Sequence, residues 1–476
     1  MFLALRVVIG FKCSITVFKY GSVRAAPMPS GALKRISGCY NDSMKLAILG
    51  YGSQGKSAYE YWKKLDYDIT VCDNDESLDL PNDVGKKLGD NYLEDLNEFD
   101  LIVRSPSVHP NSIIKANGEG ILNKVTSVTN EFFRICPSKN IVGVTGTKGK
   151  GTTSTLIAKM LEASGKKVHL GGNIGTPPLE LIKGDIQPAD WVVLELANFQ
   201  LIDLRYSPKI AVCVMIAPEH LDWHTDVGEY FAAKKPLFKN QDPDNIAIYY
   251  AKNEFSRDIA SASPGHKIPY YHPPGAIIEN DDVVIDGQSI CSVDEIKLLG
   301  KHNWQNVCAA TTAFWQIDQD VKAIRSVLTT FSGMEHRLEL VRELNGVKYY
   351  DDSFGTTPET AIVAMEAFAR PKVVILGGSE KGASFKELAL TVKKSNVRKA
   401  ILIGVTAPKI QAELDAIGFS NYVLGDDNMP EIVDEANKNA KPGDIVLLST
   451  GCASFGLFKN YKDRAEQFIK AVQALA

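Results

Sequence analysis

The chain has 476 residues, 45% hydrophobic and 23% charged, with a formal net charge of −4. That length and balance imply roughly two to four globular domains and exclude intrinsic disorder, collagen-like order and a general basic field for nucleic acid. Eight cysteines without a CxxC pair predict reduced, buried thiols and a cytosolic compartment rather than a disulfide framework or a zinc site.

The charge is uneven. Residues 1–43 hold Arg6, Lys12, Lys19, Arg24, Lys34 and Arg35 against Asp42 alone, which leaves the following 433 residues a net of −9. Arg6 and Lys12 break the opening apolar stretch, and nothing in it reaches the ~20 apolar residues of a membrane span. Met44 directly precedes a clean strand, KLAILG. Residues 1–43 are therefore expected to be a basic extension, disordered or not native, with a targeting segment as the alternative.

From Met44 onward, short apolar runs alternate with amphipathic stretches, the pattern of βαβ units and parallel sheets. KLAILG leads into GSQGKSAYEYWKKL, followed by the strands DITVCD and DLIVRS. A second unit opens with NIVGVTG and continues through STLIAKMLEASG, WVVLEL and IAVCVMIA. Its later part, about residues 245–296, is turn-rich and is expected to form small β elements. A third unit near Met334 predicts five strands, VKYYDDS, KVVILGG, KAILIG, NYVLGD and DIVLLST, alternating with helices in a doubly wound sheet. The expected boundaries are 44–138, 139–333 and 334–476.

The strongest local signal is GVTGTKGKGTT at 143–153, between a strand and a helix. A glycine-rich loop there lets backbone amides and the helix terminus surround phosphate oxygens while a lysine, Lys150, reaches the terminal phosphates. The strict P-loop spacing fails by one residue at each end: Val144 stands where glycine is required and Gly151 where Ser or Thr is. Thr152 and Thr153 still offer magnesium a hydroxyl, and a plain strand-to-helix turn is the competing reading. GYGSQG at 50–55 with Asp73 ending the next strand satisfies the GxGxxG fingerprint, which fits NAD, another nucleotide, or close packing alone. Glu195 in WVVLEL, His220 and Asp222 in PEHLDWH, and Lys234 in YFAAKK fall toward the carboxyl ends of the central strands, where open α/β sheets bind ligands.

In chain order, TGTKGKGTT, GGNIGTP, LELANFQL, EHLDWH, AAK, GKHNWQN, EHR, DDS and GGSEKG resemble the motifs of the Mur ligases, ATP-dependent amide-forming enzymes of peptidoglycan precursor synthesis. The likeness runs from Met44 to the C-terminus. FQL, GGSEKG and CASFGLFKNY are most similar to the branch that adds D-glutamate. The resemblance implies an α/β fold of three domains: a Rossmann-like UDP-binding unit, a P-loop ATPase-like parallel sheet, and a Rossmann-like unit for the amino acid. It implies that Gly52, Ser53, Gln54, Asp73 and Asn173 serve the UDP-linked substrate. ATP would fall to Gly146, Thr147, Lys148, Gly149, Lys150, Gly151, Thr152, Thr153, Asn303, Asn306, Arg337 and Asp352, and two magnesium ions to Thr152, Glu195, His220 and a carbamylated Lys234. Lys150, Glu195, His220 and Lys234 would be the catalytic set. D-glutamate would be held by Thr356, Lys381, Ser454 and Tyr461, since a lysine and hydroxyls suit a dicarboxylate. The implied reaction runs through an acyl phosphate with no side-chain nucleophile, and implies a cytoplasmic monomer with small-molecule partners only, neither nucleic acid nor membrane.

Three positions depart from the D-glutamate-adding pattern. Gly151 makes GKGT more like the folate relative, folylpolyglutamate synthase; Ala197 and Asn198 replace a pair of serines; Phe354 replaces a lysine. The alternatives are another Mur ligase, a folylpolyglutamate-synthase-like ligase, a non-catalytic nucleotide-binding protein and an NAD-dependent oxidoreductase. About 100 residues containing GxGxxG before the P-loop favour a UDP-linked substrate over a folate, and an oxidoreductase leaves the P-loop unexplained.

Overall fold

A computed structural model describes residues 43–476 except 174, 221, 222, 301, 302, 381 and 382; the expected N-terminal extension lies outside the described residues. Met44–Ala476 form a single contact unit built on three large sheets and one small one.

The N-terminal sheet is wholly parallel, in the order β3-β2-β1-β4-β5, from β1 (Met44–Leu49), β2 (Tyr67–Asp73), β3 (Gly85–Leu88), β4 (Leu101–Arg104) and β5 (Val125–Ser127). The central sheet comprises β6 (Ile141–Thr145), β7 (Val168–Gly172), β8 (Trp191–Glu195), β9 (Ile210–Cys213), β10 (Ile246–Tyr250) and β11 (His266–Tyr270), parallel throughout in the order β11-β10-β9-β6-β8-β7. Every residue of β6, β8 and β9 is buried, as expected of parallel strands covered on both faces. The period of two divides them between two cores. Ile141, Val192, Leu194, Ala211 and Cys213 pack in one core with Leu46, Ile48 and Val71 of the N-terminal sheet, while Val142, Val144, Val193 and Val212 face the helix Lys150–Ala163 and its neighbours. The first two sheets thus share one continuous core.

The expectation of small β elements over 245–296 holds only in its last third. β10 and β11 extend the central sheet, joined by the helix Glu254–Ser261. The antiparallel sheet is confined to β12 (Ile277–Glu279), β13 (Asp282–Ile285) and β14 (Gln288–Ser292). β11 is the edge strand and only partly buried, and its HKIPY lacks the solid apolar run of an interior strand; β10, IAIYY, lies inside the sheet and carries such a run, which the turn-rich surroundings mask.

The C-terminal sheet has six strands, not five, in the order β15-β16-β20-β17-β18-β19: β15 (Glu339–Leu344), β16 (Val347–Asp351), β17 (Lys372–Gly377), β18 (Val397–Ile403), β19 (Tyr422–Leu424) and β20 (Ile445–Leu448). The additional strand, β15, pairs antiparallel with β16 at the edge, so its charged ELVREL sequence needs only one apolar face. The six described cysteines are free and buried, as expected. Among the described residues no helix is long and apolar enough to cross a membrane.

Candidate functional site

The candidate residues of the central unit gather toward the carboxyl ends of its strands. β6 runs into the loop Gly146–Gly149 and then the helix Lys150–Ala163. Gly149 has φ of 96°, and a Cβ there would lie 2.1 Å from Asn306 Oδ1, so glycine is required both by conformation and by the approach of the Asn303–Trp315 helix. Asn306 Nδ2 donates to Asn303 Oδ1 at 2.8 Å, and Asn303 Nδ2 to Leu299 O at 2.6 Å. The Lys150 ammonium curls onto its own loop, donating to Gly146 O at 3.0 Å and Thr147 O at 2.9 Å.

Thr147 fastens this loop to the segment after β9. Its hydroxyl donates to Ala217 O at 2.8 Å, accepts from Ala217 N at 2.9 Å and lies 2.7 Å from the Tyr230 hydroxyl. Thr147 N and Lys148 N both point at Met215 O. The same segment carries His220, whose φ of 57° is an uncommon conformation for a bulky residue and marks a constrained position. Its ring lies edge-on to Phe199 at 4.7 Å and its Nε2 is 3.6 Å from Glu219 Oε2. Glu195 is buried at the end of β8, in register with Val144 and with Gly172; Asn173 N donates to Glu195 O at 2.7 Å.

Lys234 is fully buried, with Nζ 3.6 Å from the centre of the Tyr230 ring and no hydrogen-bond partner among the described residues. Burial first, and the charge of Lys150 second, push its amine down to about 7. An amine in that state is a nucleophile at neutral pH.

Thr152, Asn303 and Arg337 line one narrow cleft with Leu298, Gly333 and Met334, so the structure brings together helix and C-terminal residues that the sequence assigned to one nucleotide. Gly151 is buried, and Thr153 Oγ1 is buried with no hydrogen-bond partner among the described residues.

In the N-terminal sheet the glycines of GYGSQG divide their tasks. A Cβ on Gly55 would lie 2.0 Å from Gly50 O, whereas Gly52 has open space around it; Gly55 serves packing and Gly52 leaves room for a ligand. Ser53 is exposed and Gln54 half-buried at the start of the Ser53–Trp62 helix. Asp73 accepts Tyr51 N at 2.7 Å and Asp75 N at 3.0 Å, which makes it the brace of this loop.

In the C-terminal unit Asp352 is buried, accepting from Ser449 Oγ at 2.6 Å and from Leu338 N at 3.3 Å, and burial raises its carboxyl to about 7. Phe354 lies between two predicted site residues, with Tyr461 edge-on at 5.3 Å and the Arg337 guanidinium 5.8 Å from its ring centre. Ser454 is buried and Thr356 half-buried. A bridge between Ser379 and Ala453 joins the GGSEKG loop to the CASFG segment, beside Ser454. Lys381 and Asp222 lie outside the described residues. Sequence reasoning gave no role to Tyr230, which the geometry places between Thr147 and Lys234, nor to His109, His224 and Glu229, which form a tight cluster. The VHP run around His109 was the available signal, a histidine capping a helix with proline at its first position.

The Mur ligase middle domain matches residues 144–314, and the Mur ligase, glutamate ligase domain matches residues 336–452. The UDP-N-acetylmuramoylalanine--D-glutamate ligase of Clostridium kluyveri is 36% identical over 446 residues, 90% of this chain and 96% of the relative. The ligase of the same description from Clostridium acetobutylicum is 37% identical over 454 residues, again 90% and 96%. Among solved structures, the MurF ligase of Thermotoga maritima in complex with ADP aligns with a TM-score of 0.57 at 16% identity, covering 91% of this chain and 96% of that one; that likeness is one of fold. Identity above a third along nearly the whole length of such relatives shows that this chain belongs to the Mur ligase family.

Proposed function

We propose that this protein is an ATP-dependent ligase that joins D-glutamate to UDP-N-acetylmuramoyl-L-alanine through an acyl phosphate. The substrates are supported by the description of the full-length relatives, and the chemistry by one observation: a buried Lys234 amine with no hydrogen-bond partner among the described residues, within reach of the charge of the P-loop lysine.

As an ammonium, Lys234 repels a metal and does not fit one. As a neutral amine its nitrogen can attack CO2 and lose a proton, leaving a carbamate oxygen ligand suited, with Glu195, His220 and a hydroxyl of Thr152, to a hard cation. The buried site thus fits magnesium once Lys234 is carbamylated. Magnesium, when bound, neutralises phosphate charge as it develops.

The chain's own residues supply the rest. Loop amides of Gly146–Gly149 and the helix start cradle the phosphates, and Lys150 moves from the loop carbonyls to the γ-phosphate. Asn303, Asn306 and Arg337 hold the nucleotide, with Asp352 behind Arg337. The loop at Gly52–Gln54, braced by Asp73, holds the UDP moiety, and Asn173 holds the remainder of that substrate. The alanyl carboxylate attacks the γ-phosphorus and ADP departs. The D-glutamate amine, held by Thr356, Lys381, Ser454 and Tyr461, then attacks the acyl carbonyl, and phosphate leaves as the tetrahedral intermediate collapses. Catalysis is positioning and charge neutralisation. Residues 44–138, 139–333 and 334–476 act as three working units of a cytoplasmic monomer on small molecules, and their closure keeps water from the acyl phosphate.

The test is phosphate release from ATP and magnesium with UDP-N-acetylmuramoyl-L-alanine and a panel of amino acids. Release that depends on D-glutamate is expected; release only with a folate and L-glutamate would overturn the reading.

A further inference from the structure

One carboxylate joins the N-terminal lobe to the central one across 120 residues of sequence. Glu229, on the helix Val227–Ala232, places Oε2 3.2 Å from His109 Nε2 and 3.2 Å from His224 Nδ1. The same oxygen accepts Thr225 N at 2.8 Å, and Oε1 accepts Asn111 Nδ2 at 3.3 Å. Each lobe therefore contributes two donors.

The opposite ring nitrogens fix the tautomers. His109 Nδ1 accepts Asn111 N at 3.0 Å, so its proton resides on Nε2 and points at Glu229. His224 Nε2 lies 2.7 Å from Asn198 Nδ2 and accepts its proton, so the His224 proton resides on Nδ1 and points at the same carboxylate. A cation does not fit this cluster, because both nitrogens facing Glu229 carry protons; moving the His109 proton to Nδ1 would set it against the Asn111 amide. The cluster is a hydrogen-bonded clasp. Trp223 reinforces it, its ring 4.2 Å from that of His109 and its Nε1 donating to Ser107 O at 3.3 Å.

A second, separate contact joins the same two lobes. Fully buried Arg104 grips Asp203 with Nε and Nη2 at 2.8 and 2.7 Å. Arg205 Nη2 donates to Val125 O at 2.8 Å beside it. The two polar contacts act together with the core that the two sheets share to fix the angle. The clasp also attaches at chemically decisive places: Asn198 lies three residues after Glu195, and Glu229 five before Lys234.

We infer that His109, Glu229, His224 and Asn198 are positioning residues that fix the angle between the N-terminal and central lobes, and so set the carboxylate of the UDP-linked substrate against the phosphate site. The kinetic consequence rests on the ligase reading above; the geometric one does not. Asn198, where the D-glutamate-adding branch has serine, is the residue that orients His224.

The test uses the full chain with His109→Asn, Glu229→Gln and both together. Asparagine keeps a cap on the Pro110–Asn117 helix but is too short to reach Glu229. Spin labels on Lys64→Cys and Asp244→Cys, exposed in the two lobes, with Cys13 and Cys39 replaced by serine, report the interlobe distance without any substrate. The expected result is a distance distribution broader in each variant than in the parent, and a kcat/KM for the UDP-linked substrate lowered about tenfold with the KM for ATP within about twofold. The double variant should be no worse than the worse single one, since the two residues act as a unit. An unchanged distribution, additive effects, or a comparable rise in the KM for ATP would overturn the clasp. Should Glu229→Gln fail to fold, His109→Asn alone decides through the distance distribution. A parent protein inactive with D-glutamate would contradict the ligase reading while leaving the distance result to stand or fall by itself.

Discussion

Burying an amine among rings and apolar side chains destabilises a fold unless the amine is neutral or paired. Lys234 keeps its place with no hydrogen-bond partner among the described residues, which favours the chemical role proposed above over a structural one. Lys234→Ala should lower activity about a hundredfold or more, the scale of losing a preorganised charge-stabilising group, and millimolar acetate should restore part of it. Full activity in the unrescued variant would refute the carbamate. Asp352 gives a pH-dependent counterpart. Its carboxyl is raised to about 7, so the protein's stability, relative to an Asp352→Asn variant, is greatest below pH 4 and is lost as pH rises through 7. Melting curves at pH 5 and pH 8 should show the variant gaining on the parent at the higher pH; a constant difference would contradict the burial assignment. Phe354 illustrates a residue whose meaning the sequence hides. As the substitute for a lysine it reads as a lost charge, yet Arg337 stands over its ring, so a cation remains beside this position from a residue 17 positions earlier.

Among the elements, the loop-and-helix starts are where backbone geometry and chemistry coincide. Gly149→Ala sets a Cβ against Asn306 in a left-handed conformation that itself costs roughly 1–2 kcal/mol. Its KM for ATP should rise about tenfold, equivalent to ~1.4 kcal/mol of binding; an unchanged KM would separate this loop from the nucleotide. The interior strands were legible because burial on both faces demands solid apolar runs, and NIVGVTG, WVVLEL and KVVILGG fall where β6, β8 and β17 lie. β11 and β15 were not, because an edge strand carries a mixed, half-buried sequence that short polar segments imitate, and β10, an interior strand with the apolar run IAIYY, was hidden among turn signals.

Across the whole molecule, the order of the motifs was legible while their mutual contacts were not. The phosphate loop, Glu195 and the His220 segment could be placed on one sheet edge by rule, since parallel strands gather their carboxyl ends. The clasp could not: His109 and Glu229 announce no partnership in sequence, and their meeting depends on two sheets sharing a core. The same holds for the cleft that brings Thr152 and Asn303 to Arg337. On the ligase reading proposed above, what unites these contacts is a reaction needing three ligands held by three sheets, with the alanyl carboxylate activated by ATP before the amine arrives. That sequence of events leaves an isotopic record. With UDP-N-acetylmuramoyl-L-alanine labelled by 18O in both carboxylate oxygens, plus ATP, magnesium and D-glutamate, the account predicts one 18O in the released phosphate and one retained in the new amide carbonyl. Unlabelled phosphate, or no amide formed with D-glutamate while another amino acid is incorporated, would contradict it.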